Sequence, residues 1–381
     1  MTVSIARCAR PFAAAAMSLA LLATACSTTT DSADGDGDGA ATVTLQLQWF
    51  KQGQFAGYLA AVDQGFYADH GLNVEIIDGG TDIVPQTVLA QGQADYAIAW
   101  VPKALASRES GAGITQVAQV FQRSGTLQVS FADENITGPA ELRGKTVGNW
   151  GYGNEFELFA GMTEAGIDPS SDVTLVQQQF DMNGLLSGDI AAAQAMSYNE
   201  YAQLLETVDP ATGELYTAED FDTIDWNAEG VAMLQDAIWA NTDRLDDEAY
   251  AEQTVKFIAA SLQGWAFCRD NVEQCRDITV AAGSTLGASH QMWQVNEVNK
   301  LIWPSPDGVG VIDEAAWDRT VEIAKSTTNA EGSTVLTTDP NSEAYTNEYV
   351  LQALELLRED GLDVTGEAYV PVEVTLEEGG K

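Results

Sequence analysis

The chain has 381 residues, 45% of them apolar, enough to bury a large core and to build two α/β lobes rather than one. Its 57 acidic against 17 basic residues give a formal charge of -40, which repels the phosphates of nucleic acid and of anionic lipid. Nucleic-acid binding is thereby disfavoured, and the acidity reads as a solvated surface that keeps the protein soluble rather than as a clue to a ligand.

In chain order, Arg7 and Arg10 precede an Ala- and Leu-rich stretch over 12–23, and Thr24, Ala25 and Cys26 follow. That is the pattern of an export signal, with an apolar stretch too short for a membrane span. The ending resembles a lipobox, in which the cysteine is diacylated and becomes the mature N-terminus, although Ala23 stands where that motif usually has Leu or Val. Residues 1–26 are therefore read as a lipoprotein signal peptide with Cys26 as the lipid attachment point. The alternative is ordinary cleavage near Ala25 and release of a soluble protein. Residues 27–42, rich in Ser, Thr, Asp and Gly, have no apolar face to bury and read as a disordered tether.

From residue 43 the pattern alternates between strand and helix: strand over 43–48, helix over 57–69, strand over 73–77, helix over 84–91, strand over 94–99. Residues 43–130 are read as the first part of lobe one. A second series, read as lobe two over 131–231, has a short helix at Gly138, Pro139 and Ala140, strands over 145–149, 172–177 and 190–196, and a helix over 154–165. Residues 232–381 return to lobe one, with amphipathic helices over 246–269, 291–302, 313–324 and 342–359 expected to buttress it. With Cys8 in the discarded segment and Cys26 acylated, Cys268 and Cys275 remain in an exported, oxidising setting. A local disulfide is expected. Free thiols are the alternative, because seven helical residues would hold the pair apart unless the helix breaks near Asn271.

Several segments together resemble a periplasmic-binding-protein-like family that contains sulfonate-binding and thiamine-precursor-binding proteins and the eukaryotic thiamine pyrimidine synthases. They are Leu45-Gln46-Leu47-Gln48-Trp49, Gln54-Phe55-Ala56-Gly57-Tyr58-Leu59-Ala60, Gly65-Phe66-Tyr67, Gly71-Leu72-Asn73-Val74, Gly92-Gln93-Ala94-Asp95-Tyr96 and Leu142-Arg143-Gly144-Lys145-Thr146-Val147-Gly148. Each is loose alone; their order carries the resemblance. It implies a two-lobed α/β clamp of type II binding-protein topology, with the ligand cleft between the lobes and hinge closure around a solute. It further implies an ABC importer whose permease subunits are the partners, and a monomer on the outer face of the cytoplasmic membrane.

In open α/β sheets ligands sit beyond the carboxyl ends of strands. The loops so placed offer Trp49, Gln54 and Phe55; Gly79, Gly80, Thr81 and Asp82; Trp100; Trp150, Tyr152, Asn154 and Glu155; and Tyr198, Asn199 and Glu200. An aromatic cleft edged with amides and carboxylates suits a flat, neutral or cationic heteroaromatic. Trp49, Phe55, Trp100, Trp150 and Tyr152 are assigned to ring stacking, and Gln54, Asp82, Asn154, Glu155, Tyr198 and Asn199 to the ring edge. For any one aromatic, rim packing is the commoner role; the reading rests on their clustering. Gly148, Gly151 and Gly153 before a helix offer an anion site or, more simply, tight turns. A sulfonate pocket would want Arg or hydroxyl donors where these loops carry Asp82, Glu155 and Glu200.

The expected solute is a thiamine pyrimidine precursor or a similar vitamin-like ring, with a riboflavin-like flavin next and a sulfonate behind. The alternative class is the thiamine pyrimidine synthase. In those enzymes a cofactor-binding Lys and a donor His occupy the positions that align, on Gly92-x-x-Asp95, with Ala99 and Lys103. Their lobe-two cysteine run also has no counterpart between Cys26 and Cys268. His70 and His290 form no zinc pattern, and there is no G-x-S-x-G elbow. No cofactor, no metal and no catalytic residue is expected.

Overall fold

The structure, a computed structural model, describes residues 41–381. The expected signal peptide, Cys26 and the expected tether up to residue 40 lie outside the described residues. The strands are β1 (Ala41–Gln46), β2 (Leu72–Ile77), β3 (Tyr96–Trp100), β4 (Ile114–Gln119), β5 (Thr126–Phe131), β6 (Thr146–Asn149), β7 (Thr174–Gln177), β8 (Ala193–Met196), β9 (Phe221–Asp225) and β10 (Asp236–Asn241). One sheet has the order β2-β1-β3-β10-β4, with β1 parallel to β2 and β3, and β10 antiparallel to both its neighbours. The other lobe pairs β8-β5-β9 antiparallel and β6-β7 parallel. A bridge between Val147 and Ala192 joins those two pieces. The chain passes between the lobes over 120–125 and again over 226–235.

Helices cover both faces of the first sheet, as parallel strands require. Local signals start them: Pro85 and Pro102 stand in first turns, where a missing N–H costs nothing, and Asp247 accepts the Ala249 and Tyr250 N–H groups to cap the helix Glu248–Asp270. That helix crosses Ala56–Asp63 at two glycines. A Cβ on Gly264 would lie 2.0 Å from the Gly57 carbonyl oxygen, and one on Gly57 would lie 2.2 Å from the Trp265 ring, so neither position tolerates a side chain.

Several expectations change at this level. The helix expected over 57–69 is two, Ala56–Asp63 and Phe66–Asp69, because Gly65 turns the chain at φ 80°. The segment at Gly138–Ala140 forms a 3-10 turn, Pro139–Leu142. The helix Glu314–Ser326 does not buttress lobe one alone. It packs against both Val101–Glu109 and Phe156–Glu164, and its Trp317 shares a buried cluster with Ala99 of β3 and with Val147, Phe159 and Trp226.

Cys268 and Cys275 are joined through their sulfurs, with Cα atoms 5.4 Å apart. The helix that would separate them ends at Asp270, Asn271 leaves helical geometry at φ -138° and ψ 57°, and Val272–Ala281 begins anew. Both sulfurs are buried, and the bond closes a short loop. The Cys268→Ala/Cys275→Ala variant is expected to lose about 2 kcal/mol from unfolded-state entropy alone, read as a lower Tm at unchanged ligand affinity.

Candidate ligand-binding site

The site begins where β1 and β3 end. Because β10 runs antiparallel, its first residue, Asp236, pairs with Trp100, the last residue of β3. Asp236 is buried, and three donors converge on it: Gln48 Nε2 at 2.5 Å and Trp100 Nε1 at 2.8 Å on Oδ1, and Gln54 Nε2 at 2.9 Å on Oδ2. A carboxylate only accepts, so it fixes which way both amides face. The Gln54 oxygen then accepts from Gln52 Nε2 at 2.9 Å, which extends the network away from the sheet. Burial pushes Asp236 up to about 7, while the Gln54, Trp100 and Gln48 donors and the Lys103 ammonium pull it down. Lys103 lies over Trp100, with Nζ 5.2 Å from the ring centroid. Burial lowers its ammonium to about 8 against the opposing pull of Glu155 and Asp236.

The other lobe presents the loop after β6. Gly151, Tyr152 and Gly153 are all left-handed, at φ 69°, 55° and 86°, a path that strains only Tyr152. The Gly151 N–H donates to Asn149 Oδ1, the Gly153 N–H to Glu155 Oε2, and the Trp150 N–H to Gln194 Oε1. These backbone donors are spent on protein acceptors, two beside the loop and one on Gln194 of β8, so the glycines serve the turn and the anion alternative is dropped. Glu155 precedes the helix Phe156–Glu164, is buried, and is pushed up chiefly by that burial.

Aromatic rings meet across the gap. Trp49 is held where Gly79 passes close beneath it: the Gly79 N–H donates to the Trp49 carbonyl at 2.9 Å, and a Cβ on Gly79 would lie 2.4 Å from the Leu47 carbonyl oxygen. From the loop after β7, Phe180 reaches Trp49 at 5.1 Å between centroids and 54° between planes, and Trp150 at 6.0 Å and 24°. Trp150 is buried, yet its Nε1 has no acceptor among the described residues.

The structure thus brings Trp49, Gln54, Trp100, Trp150, Glu155 and Tyr198 to one region. Tyr198 is buried, and its hydroxyl is raised by that burial and then by the charge of Asp236. The other expected residues have different surroundings. Phe55 ends the 3-10 turn Gly53–Phe55 and points into the core with no exposure. Tyr152 is 82% exposed, because its left-handed backbone turns it outward. Asp82 is exposed in a turn. Asn154 Nδ2 donates to its own loop at the Gly151 carbonyl. Asn199 is committed to a tie between lobes: its Oδ1 accepts from Gln294 Nε2 and faces His290 Nε2, while its Nδ2 donates to Glu200. His290, expected as a helix-start residue, is buried in that tie, with Nδ1 2.8 Å from Glu206.

Sequence reasoning missed Gln48, Lys103, Asp236 and Phe180 as site residues. Gln48, Lys103 and Phe180 follow the ends of β1, β3 and β7, where the strand-end rule could have found them. Asp236 opens a strand of opposite sense, where that rule does not look. A void of about 10 Å³ is bounded by Trp100, Pro102, Gly153, Asn154, Glu157 and Met233 among others. A larger open hollow of about 600 Å³, edged by Phe131, Glu134, Tyr216 and Asp220, shares no residue with this cluster.

A second buried carboxyl sits where the chain crosses between lobes. Glu157 accepts the Met233 N–H at 2.6 Å, and the Ser124 and Thr126 hydroxyls assist, so one side chain gathers both crossings. Burial pushes it up to about 7 against those donors. Asp236 and Glu157 therefore bind a proton more tightly folded than unfolded. Their contribution to stability is full below about pH 4 and is lost as pH rises through about 7. Tm is expected to fall between pH 5 and pH 8, and Glu157→Gln, which keeps an acceptor for Met233, is expected to flatten part of that fall. An unchanged slope in this variant would remove Glu157 from the account.

The described residues match the NMT1/THI5-like family over 52–274, more than half of the chain, and the chain belongs to that family. It is 24% identical over 238 residues to the formylaminopyrimidine-binding protein of Halalkalibacterium halodurans, covering 61% of this chain and 68% of that one. It is 26% identical over 307 residues to the riboflavin-binding protein RibY of Chloroflexus aurantiacus, covering 78% and 82%. Among solved structures it resembles a putative periplasmic sulfonate-binding protein of an ABC transporter from Methylobacillus flagellatus. The TM-score is 0.60 at 16% identity, over 89% of this chain and 99% of that one. That likeness establishes the two-lobed periplasmic-binding-protein clamp.

Proposed function

We propose that this chain is the extracytoplasmic solute-binding lipoprotein of an ABC importer, anchored through Cys26 at the outer face of the cytoplasmic membrane. Its solute is a small flat heteroaromatic of the thiamine-pyrimidine-precursor kind. The observation that carries this reading is that Trp49 and Trp150, from opposite lobes, both contact Phe180, while the Asp236 network and the Lys103 ammonium gather on Trp100. Planar faces for stacking, next to fixed donors and acceptors, select a ring with polar edges over an aliphatic chain. The formylaminopyrimidine-binding and riboflavin-binding relatives support the same class, and the wider coverage of the riboflavin-binding one makes a flavin the second reading.

Titration calorimetry of the full chain against formylaminopyrimidine, hydroxymethylpyrimidine, thiamine, riboflavin and ethanesulfonate tests this. Saturable binding of one ring compound and none of the sulfonate is expected. Binding of ethanesulfonate alone would overturn the heteroaromatic class. An imine absorbance with pyridoxal phosphate would instead favour the synthase reading, for which Ala99 supplies no amine and Lys103 is the amine in the cleft. The anchor is tested separately: Cys26→Ala is expected to move the protein from the membrane to the soluble fraction.

A further inference from the structure

We infer that Phe180 is a removable ring, occupying the place between Trp49 and Trp150 that the ligand's ring takes, and that binding exchanges one for the other. This rests on the heteroaromatic reading of the site and goes one step past it. The centroid separations of 5.1 Å and 6.0 Å are ordinary aromatic contact distances, so Phe180 touches an indole from each lobe, nearly parallel to Trp150 and tilted against Trp49. A nearby void of about 10 Å³, lined by Trp100, Gly153 and Asn154 but by neither indole, holds on the order of a single water and offers a planar solute no seat.

Three further observations single out Phe180 as the group that leaves. Its neighbours are held by hydrogen bonds, which its own ring cannot make. Gln178 donates through Nε2 to the Gln194 carbonyl at 2.8 Å and through its backbone to the Asn149 carbonyl, and Asp181 accepts the Asn183 N–H. Phe180 projects between these anchors and is 42% exposed, whereas Trp150 is 4% exposed. Moving it therefore uncovers little apolar surface that is not already in water. Finally, a benzene ring is an incomplete occupant. It stacks on Trp150, whose buried Nε1 lacks an acceptor among the described residues, as do those of Trp226, Trp265 and Trp303, and a benzene ring has none to give. A heteroaromatic carrying a ring nitrogen or carbonyl supplies both the stack and the acceptor, and a buried donor gains substantially when it is satisfied. Exchange of Phe180 for such a ring is thus favourable in the polar part, while the stacking part roughly cancels. That difference would select heteroaromatic solutes over plain aromatic ones.

The test uses the full chain and Phe180→Ala, with Phe180→Leu as a bulky variant that fills space without a planar face. Probes are formylaminopyrimidine and riboflavin. Because wild type must expel its own ring first, Phe180→Ala is expected to bind the active probe about 3- to 10-fold more tightly, with Phe180→Leu between. Weaker or unchanged binding by Phe180→Ala would overturn the exchange and make Phe180 either part of the wall or a bystander. A ligand-free arm uses 5-fluorotryptophan-labelled protein, with the Trp49 and Trp150 fluorine resonances assigned by Trp→Phe variants. Both resonances are expected to shift in Phe180→Ala, and if neither moves the self-stack does not exist in solution. Failure of every probe to bind any variant would instead overturn the heteroaromatic reading, and the fluorine arm would still decide whether Phe180 occupies the gap.

Discussion

Asp236→Ala is expected to weaken ring binding at least about 100-fold and to destabilise the fold by about 3 kcal/mol or more, because it strands the buried Gln54 and Trp100 donors and the partly buried Gln48 donor at once. Gln48, Gln54 and Trp100 all point at this carboxylate, and each comes from a different part of the lobe-one wall of the cleft. The isosteric Asp236→Asn is the sharper test. Its amide must aim an NH₂ group either at the Gln48 and Trp100 donors or at the Gln54 donor. If Gln54 flips to accept, it loses the Gln52 hydrogen bond to its oxygen. Satisfying the network then requires Gln52 to flip as well, so Asn is expected to cost about 10-fold or more in affinity despite its matching shape. Thermal unfolding run beside calorimetry separates the two effects. An Asn variant that binds within a factor of about two of wild type would remove Asp236 from the site's organisation.

How far the sequence exposed this site follows from strand direction and periodicity. The β-α-β opening was legible because β1 and β2 alternate with amphipathic helices, and the strand-end rule then delivered Trp49, Gln54, Trp100 and Trp150. β4 was not legible: every residue of Ile114–Gln119 is buried, Gln116 and Gln119 included, so no period of two survives. β5 and β9 were missed as well, because their antiparallel partners lie far away in the chain and no tight turn announces them. Asp236 stayed hidden for a related reason. A carboxylate among 57 acidic residues carries no compositional signal, and only tertiary pairing with Trp100 shows that this one is buried. Phe55 and Tyr152 erred in opposite directions. The residue entering a helix turned toward the core, and the left-handed loop tip turned outward; both outcomes depend on backbone geometry that spacing rules do not encode.

Trp49→Ala and Trp150→Ala should each cost about 10- to 100-fold in affinity, the loss of one stacking face, by analogy with the worth of an aromatic platform to a planar base. Their stabilities should diverge. Trp150 is buried at the floor of its loop, so its removal opens a cavity worth about 3 kcal/mol or more, while Trp49 is only partly buried and is expected to cost less. Trp49→Ala is therefore the cleaner probe, and Trp49→Phe is expected to recover most of the affinity because it restores a planar face. The double variant should lose less than the product of the single losses, since both faces hold the same ring and neither clamps well alone. Tyr152→Ala is the matched control: the ring is 82% exposed, so binding should be unchanged. Tyr152→Gly should stabilise the loop, because glycine adopts the left-handed backbone at φ 55° without strain. Calorimetric Kd values for these variants decide the matter. If Tyr152→Ala weakens binding while Trp49→Ala does not, the ring sits at the loop tip and not between the lobes, and the clamp is misplaced.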